Sequence, residues 1–325
     1  MCRAPTLALL VTLLALAACT MTPGQPLPTP TSAASDAPAA TPALATPAAA
    51  LAATPPAPLA AVAPAAPTSS PATLGHDLDA LLARYTAQGL GRAAIVVADQ
   101  RTGVDLAIAP DQVFPAASLY KLIVLWKVQL EIRAGHLADD TPLELTADND
   151  DSADDGYQLG PYGSTISVAD ARRLMITQSN NTAAWALVGA VGGWAAVDPL
   201  PRERGLAHTA LLPEPTTTAA DVTRFFRGLL ARDLDPDLAP ADYDLMLALL
   251  QAQEVNTFLP TGLPAGTPFA HKTGELDDVV HDAGILLLPG GRAIYLTVLT
   301  QGDYDVCVQF MHDVAQLAWQ ALAAP

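Results

Sequence analysis

The chain has 325 residues, of which 33 are acidic and 16 basic, and its formal net charge at pH 7 is −17. A protein this acidic is poorly suited to neutralise nucleic-acid phosphates or to bind anionic lipid headgroups electrostatically. Composition and charge therefore exclude nucleic acid as a partner and leave a covalent lipid as the predicted means of membrane attachment.

The first 18 residues have the pattern of a secretory signal peptide. Arg3 gives a positive start, and residues 7–18 form an apolar run that is too short to span a bilayer as a stable helix. The run ends in Leu16, Ala17 and Ala18, directly before Cys19. This end resembles the lipobox of bacterial lipoproteins, which implies acylation of Cys19 and an extracytoplasmic, membrane-anchored location in the bacterial cell envelope. An ordinary cleavage site beside a cysteine is the alternative.

Residues 19–72 are almost entirely Ala, Pro, Thr and Ser, with one charge at Asp36. Such a segment cannot bury a core, and its prolines favour an extended conformation, so it is predicted to be a disordered tether. Residues 73–325 are predicted to form the folded domain, and the protein is expected to be a monomer. Cys2 and an acylated Cys19 cannot form disulfides, so Cys307 is predicted to be a buried packing residue.

Within the domain, hydrophobic periodicity predicts a mixed sequence of helices and strands. The elements are a helix at 74–85, a hairpin of strands at 93–98 and 104–108, helices at 118–134, 168–178, 182–191, 219–232 and 241–253, strands at 269–273, 281–288 and 292–300, and a last helix at 305–322. Strands at both ends with helices between them predict an α/β (α+β) sandwich. One antiparallel sheet is flanked by the terminal helices, the middle helices form a second lobe, and the active site lies in the cleft between them. Three tryptophans in apolar helical stretches are predicted to be core residues: Trp185, Trp194 and Trp319.

Ser118 and Lys121 carry the first chemical signal. They are three residues apart at the start of a predicted helix, so both side chains emerge on the same face. A poorly solvated lysine loses its charge more easily and can accept the proton of the serine hydroxyl. The pair therefore predicts a serine nucleophile that is activated by a lysine base.

Two further short motifs follow in the chain. Ser179-Asn180-Asn181 lies at the junction of two predicted helices, where a hydroxyl can relay a proton and an amide can hold a substrate carbonyl. Lys272-Thr273-Gly274 follows a predicted strand, and it offers a positive charge, a hydroxyl donor and room for a substrate at the sheet edge. By composition, the pattern Ser-x-x-Lys is expected roughly 0.08 times by chance, and all three motifs in this order far less often.

These motifs, in this order and within this pattern of elements, resemble those of class A β-lactamases and the related penicillin-binding D,D-peptidases. The resemblance covers about residues 73–322 and implies a β-lactamase-like fold with no metal or cofactor. It implies that Ser118 is acylated, that Lys121 is the base and that Ser179 relays a proton. It also implies an oxyanion hole from the backbone N–H groups of Ser118 and Glu275. The implied substrate-binding residues are Asn181, Lys272, Thr273, Gly274 and Glu275.

The sequence departs from class A β-lactamases where those enzymes carry the glutamate that activates the deacylating water. Glu214 is the only carboxylate in the matching segment, 205–218, and it is either that base or a solvated loop residue. Without such a base the acyl-enzyme is expected to be long-lived. Asn180 replaces the usual aspartate of the middle motif, and Glu275, Asp277 and Asp278 are expected to weaken the attraction for anionic substrates unless they point away.

The sequence thus predicts a serine hydrolase of the class A β-lactamase-related family that hydrolyses β-lactam-type amide bonds. A D,D-peptidase acting on peptidoglycan peptides and a non-catalytic envelope-binding lipoprotein are the alternatives. A metal site at His271, His281 and Asp282 is not favoured, because one strand pair offers too few convergent ligands. Tyr157 or Tyr162 is expected either to wall the cleft or to pack.

Overall fold

The computed structural model describes residues 70–150 and 159–323. The predicted signal peptide, Cys19 and nearly all of the predicted tether lie outside the described residues, as does Tyr157. In chain order the strands are β1 (Leu90–Asp99), β2 (Val104–Ile108), β3 (Phe114–Pro115), β4 (Pro142–Glu144), β5 (Thr165–Ser167), β6 (Thr216–Thr217), β7 (Phe269–Leu276), β8 (Val279–Leu288) and β9 (Arg292–Gly302).

The helices are α1 (Leu74–Thr86), α2 (Tyr120–Arg133), α3 (Val168–Thr177), α4 (Asn181–Ala190), α5 (Trp194–Val197), α6 (Pro199–Glu203), α7 (Ala219–Ala231), α8 (Pro240–Gln251) and α9 (Tyr304–Ala318). Short 3₁₀ turns span Ala117–Leu119, Leu259–Gly262 and Pro289–Gly291. In the described part of the chain, no single helix is long and apolar enough to cross a membrane. One bent pair of helical segments, Asn181–Ala190 and Trp194–Glu203, meets that test of length and composition when the two are taken together.

Five strands form one antiparallel sheet in the order β2-β1-β9-β8-β7. Ile95 and Val97 of β1 pack with α1 and α9 on one face, whereas Val96 and Ala98 face the helical lobe. Because side chains alternate along a strand, a continuous apolar run such as 93–98 is what a strand buried on both faces requires. The predicted sandwich with a second, helical lobe is confirmed.

Local signals explain where several helices begin and end. Helix α3 begins at Ser167, whose hydroxyl accepts a hydrogen bond from the Asp170 N–H. Helix α7 is capped in the same way by Thr218, whose hydroxyl accepts a hydrogen bond from the backbone N–H of Asp221. Helix α2, which is buried on most sides, ends before Gly135, whose φ of +77° suits a residue without a Cβ.

The main differences from the predicted elements are short segments and one side chain. The β4–β5 ribbon and helices α5 and α6 are too short to produce a clear periodicity. The prediction that Trp185 is a core residue is wrong, since its side chain is 39% exposed on the outer side of α4. Trp194 is partly buried against the core between the sheet and the helical lobe, and Trp319 is partly buried against the core between the sheet and helices α1 and α9. Cys307 is buried as predicted.

Candidate active site

Ser118 lies in the 3₁₀ turn that leads into α2, at the boundary between the sheet and the helical lobe. Pro115 pairs with Thr216 in the β3–β6 ribbon, and the Ala116 N–H donates to the Pro215 carbonyl at 2.8 Å. Ala117 then takes a left-handed conformation with φ +45°, an uncommon state for a residue with a Cβ. This turn, residues 114–119, is called the nucleophile turn below. It holds the half-buried Ser118 hydroxyl in a defined position at the start of α2.

Lys121 is fully buried one turn further along, and its ammonium nitrogen joins the first two motifs. Its Nζ lies 3.1 Å from Ser118 Oγ, 3.2 Å from Ser179 Oγ and 2.5 Å from Asn181 Oδ1, and it also donates to the Ser179 carbonyl. The two carbonyl-type oxygens can only accept hydrogen bonds, so each engages an N–H of the lysine. In its neutral form, an amine held in this way directs its lone pair toward a hydroxyl proton, which is the geometry of a general base.

Ser179 lies between the two motif lysines. It connects α3 to α4 with φ +58°, and its Oγ is 2.9 Å from Lys272 Nζ and 3.2 Å from Lys121 Nζ. A hydroxyl in contact with two amines can donate one proton and regain another. Its neighbour Asn180 is turned away from this contact, because its side chain accepts the Ala183 N–H at 2.8 Å and caps α4. The substitution of asparagine for aspartate therefore falls on a helix cap.

Lys272 is fully buried in β7, and its Nζ donates to Ser179 Oγ and to the Thr273 carbonyl, both at 2.9 Å. Burial lowers the pKa of Lys272 to about 7, and the nearby charge of Asp282 opposes this shift. The lysine therefore changes between its charged and neutral forms near neutral pH. In the charged form it offers the carboxylate-recognising ammonium that the motif predicts.

The alternation of β7 separates the remaining residues of the third motif. Lys272 and Gly274 face the helical lobe, and Glu275 lies on the opposite face, where its carboxylate accepts the Tyr304 hydroxyl at 2.8 Å. Burial and the bond to Glu275 raise the pKa of Tyr304 to about 12. The Glu275 side chain thus points away from Ser118, which removes one expected source of repulsion for anionic substrates.

Gly274 serves a different purpose from the one that the motif suggested. A Cβ on Gly274 would lie 3.2 Å from the Ala116 carbonyl oxygen, 3.2 Å from Ala117 Cβ and 3.3 Å from Leu119 Cγ. The expectation that this glycine leaves room for a substrate is therefore corrected: the space is occupied by the nucleophile turn. Since any side chain would press against this turn, Gly274 allows the strand and the nucleophile to approach closely.

Two buried histidines lie near the third motif, and one of them, His281, contacts the nucleophile turn, a role that the sequence did not assign to it. His281 lies opposite Gly274 in the sheet, and its Nε2 is 2.9 Å from the Pro115 carbonyl oxygen. On the other face, His271 Nδ1 is 2.7 Å from Asp282 Oδ1, and its ring stacks on Phe269. His281 and Asp282 are strand residues that make hydrogen bonds, as expected, but the expectation that these bonds are local is wrong: His281 bonds to Pro115 and Thr300, and Asp282 to His271 and Leu259. In the described residues, no group of three or more potential ligands is placed to hold a metal ion.

Glu214 is exposed on the loop between α6 and β6. The loop itself is well anchored: Asp198 Oδ1 accepts the N–H groups of Leu211 and Leu212 at 2.7 and 3.1 Å, and Asp221 accepts the His208 N–H at 2.8 Å. Its last residue before β6, Pro215, is bonded to the nucleophile turn. The role of Glu214 as deacylating base stays a prediction.

Tyr162 is 60% exposed, and its hydroxyl donates to Asp150 at 2.6 Å. Asp150 also contacts the Thr182 hydroxyl at 3.5 Å, beside Asn181 at the start of α4. This exposure argues against a packing role for Tyr162, and its place in the wall of the cleft stays a prediction. The structure thus joins Ser118, Lys121, Ser179, Asn181 and Lys272 through direct contacts, with Gly274 packed against the nucleophile turn.

Comparisons with known proteins identify the family and the fold. The family model described as the beta-lactamase enzyme family matches residues 73–322. The solved structure of PBP-A superposes with a TM-score of 0.69 at 25% identity, over 76% of this chain and 95% of that chain. An ancestral class A β-lactamase superposes with a TM-score of 0.65 at 27% identity, over 75% of this chain and 98% of that chain.

A mutant of PBP-A, solved as an acyl-enzyme complex with penicillin G, is similar at a TM-score of 0.69 and 25% identity, over 78% of this chain and 97% of that chain. A search of curated protein sequences gave no significant match.

Proposed function

Because the chain belongs to the β-lactamase enzyme family, we propose that Ser118 is its nucleophile and is acylated by the carbonyl carbon of a β-lactam amide. The protein is a serine hydrolase of the class A β-lactamase type. The observation that carries the assignment of Ser118 is the contact of 3.1 Å between its Oγ and the Nζ of Lys121, a buried lysine held by two carbonyl-type oxygens.

In the acylation step, Ser118 Oγ forms a bond to the carbonyl carbon while its proton passes to Lys121 Nζ. The developing oxyanion is bound by the backbone N–H groups of Ser118 and Glu275. The amide C–N bond then breaks, and Ser179 Oγ–H gives its proton to the leaving nitrogen. Ser179 regains a proton from one of the two lysines that contact it, at 2.9 and 3.2 Å. Charged Lys272 holds the carboxylate of the substrate, and Asn181 holds its amide side chain.

Hydrolysis of the resulting ester requires an activated water. Glu214 is the candidate base in the loop, but its side chain is exposed. We therefore propose that deacylation is the slow step. This exposure also favours the second candidate function, a penicillin-binding protein or D,D-peptidase that acts on cell-wall peptides and forms a long-lived penicilloyl ester.

The test is a time course of the purified domain with a chromogenic cephalosporin and a fluorescent penicillin, beside its Ser118→Ala variant. Hydrolysis of many cephalosporin molecules per protein molecule, lost in Ser118→Ala, supports an efficient β-lactamase. A Glu214→Gln variant then tests the deacylating base. One equivalent of stable label, also lost in Ser118→Ala, supports the penicillin-binding alternative. Labelling that persists in Ser118→Ala contradicts the assignment of the nucleophile.

We also propose that the protein is a monomeric lipoprotein of the bacterial envelope, anchored through Cys19 and held away from the membrane by the tether. The apolar run that ends in small residues before a cysteine supports this proposal. Growth with an alkyne-tagged fatty acid should label the full chain, and Cys19→Ala should abolish the label. A labelled Cys19→Ala protein would contradict the anchor site.

A further inference from the structure

His281 lies in β8, the strand next to β7, and its side chain contacts the nucleophile turn. Its side chain is fully buried, and it faces the helical lobe next to Gly274, its partner across the β7–β8 ladder. Its ring meets the Phe114 ring edge to face at a centroid distance of 5.7 Å. The imidazole therefore fills the contact between the sheet and the segment that carries Ser118.

The hydrogen bonds of His281 determine which of its nitrogens carries the proton. The Thr300 N–H, which can only donate, lies 3.2 Å from Nδ1, so Nδ1 is the acceptor. Nε2 therefore carries the hydrogen and donates it to the Pro115 carbonyl at 2.9 Å. Burial lowers the pKa of His281 to about 4, and the nearby Arg92 charge adds to this effect, so the ring is neutral at physiological pH.

The nucleophile turn is held on both sides of this bond. Arg92 donates to the Val113 carbonyl at 3.0 Å and lies 4.5 Å from the centroid of the Phe114 ring. Beyond Pro115, the Ala116 N–H is bound by the Pro215 carbonyl. Of these contacts, only that of His281 joins the turn to the strand paired with β7, since Arg92 extends from β1 and Pro215 belongs to the loop before β6.

We propose that His281 is a positioning residue, which fixes the distance between the nucleophile turn and β7. Its ring binds the carbonyl three residues before Ser118, and its backbone pairs with Gly274, directly before Glu275. The two N–H groups assigned to the oxyanion hole belong to Ser118 and Glu275, so this histidine sets their spacing together with the direct packing of Gly274 on the turn. The expected effect of His281 on the acylation rate rests on the proposed function, whereas its expected effect on the position of the nucleophile turn does not.

Three substitutions separate hydrogen bonding from packing. Gln at 281 can place an amide N–H where Nε2 lies, Asn is too short to reach Pro115, and Phe keeps the ring volume without a donor. His76→Gln, on the exposed side of α1, is the matched surface control. We expect the rate constant for acylation by a penicillin to fall about 10- to 100-fold in His281→Asn and His281→Phe, because sub-ångström misplacement of reacting groups has effects of this size.

The noncovalent binding constant should change far less than the acylation rate constant, and His281→Gln should recover much of that rate. If acylation follows thermal stability instead, so that His281→Phe is the most active variant because it fills the space best, His281 is merely a packing residue and the proposal is overturned. Unchanged acylation in a folded His281→Phe protein would also overturn it.

A readout without substrate keeps the two proposals separable. Hydrogen–deuterium exchange should rise in residues 113–119 of His281→Phe, remain near the wild-type level in His281→Gln and stay unchanged in α3 and α8. Unaltered exchange in 113–119 refutes the positioning role, whether or not the wild type reacts with penicillin. A wild type that does not react, combined with altered exchange, refutes the proposed function and leaves the role of His281 supported.

Discussion

Lys272 is predicted to make substrate recognition depend on pH in the neutral range. Its pKa of about 7 means that the charged fraction falls from about 90% at pH 6 to about 10% at pH 8. If the ammonium binds the substrate carboxylate, the second-order rate constant for acylation should fall about tenfold over this interval through Lys272 alone. This rate constant reports ionisations of the free enzyme, which is the state that the structure describes.

The assay compares two substrates to isolate Lys272 from Lys121, which also takes part in the reaction. Acylation is measured from pH 5.5 to 8.5 with a penicillin and with its neutral carboxyl ester, and the ratio of the two rate constants is plotted. The ratio should fall about tenfold between pH 6 and 8 in the wild type. It should stay constant in Lys272→Arg, because guanidinium does not titrate in this range.

A third variant tests the cause of the shift. The negative charge of Asp282 raises the pKa of Lys272 against the effect of burial, so Asp282→Asn should move the fall of the ratio to lower pH. A wild-type ratio that is independent of pH would refute the argument that a titrating Lys272 binds the carboxylate. A fall that moves to higher pH in Asp282→Asn would refute the assigned electrostatics.

The remaining predictions concern stability and packing. The pKa of Lys272 is lower in the folded protein than in the unfolded chain, so the unfolded chain binds more protons between about pH 7 and 10.5. The free energy of unfolding should therefore rise with pH across that window. Lys272→Met should remove this contribution to the pH dependence of the free energy of unfolding, measured by denaturant titration. Gly274→Ala should slow acylation about tenfold while the protein remains folded, because its Cβ would lie 3.2 Å from the Ala116 carbonyl oxygen; wild-type acylation kinetics would contradict this packing argument. Asn180→Ala should lower the free energy of unfolding by about 1 kcal/mol through loss of the cap on the Ala183 N–H, whereas Asn180→Asp should not, and equal stabilities for the two variants would argue against a capping role.

The fold could be predicted from the sequence wherever an element was long and periodic. The run at 93–98 and the hairpin around Pro289 contain enough alternating or continuous apolar residues to specify strands. The short ribbons could not be predicted in this way, because β3 and β6 have two residues each. The apolar stretch around Trp185 predicts a core residue from hydrophobicity alone, which does not distinguish the inner face of α4 from its outer face.

The site could be predicted as a set of residues but not as a geometry. Ser118, Lys121, Ser179 and Lys272 lie in recognisable motifs, and the structure joins them by direct contacts. The role of His281 depends on strand register, because a shift of one residue would direct its ring to the opposite face of the sheet. A single sequence contains no signal that aligns a strand residue with a turn residue 166 positions away, as His281 is aligned with Pro115.

The most direct test of the central claim is to identify the residue that a β-lactam acylates. The purified domain is mixed with penicillin G, quenched in acid, and analysed by intact mass and peptide mapping. The account predicts one added penicilloyl group per chain, located on Ser118, and none in Ser118→Ala. An unmodified wild-type chain that also fails to turn over the β-lactam, or a penicilloyl group on any other residue, would contradict it.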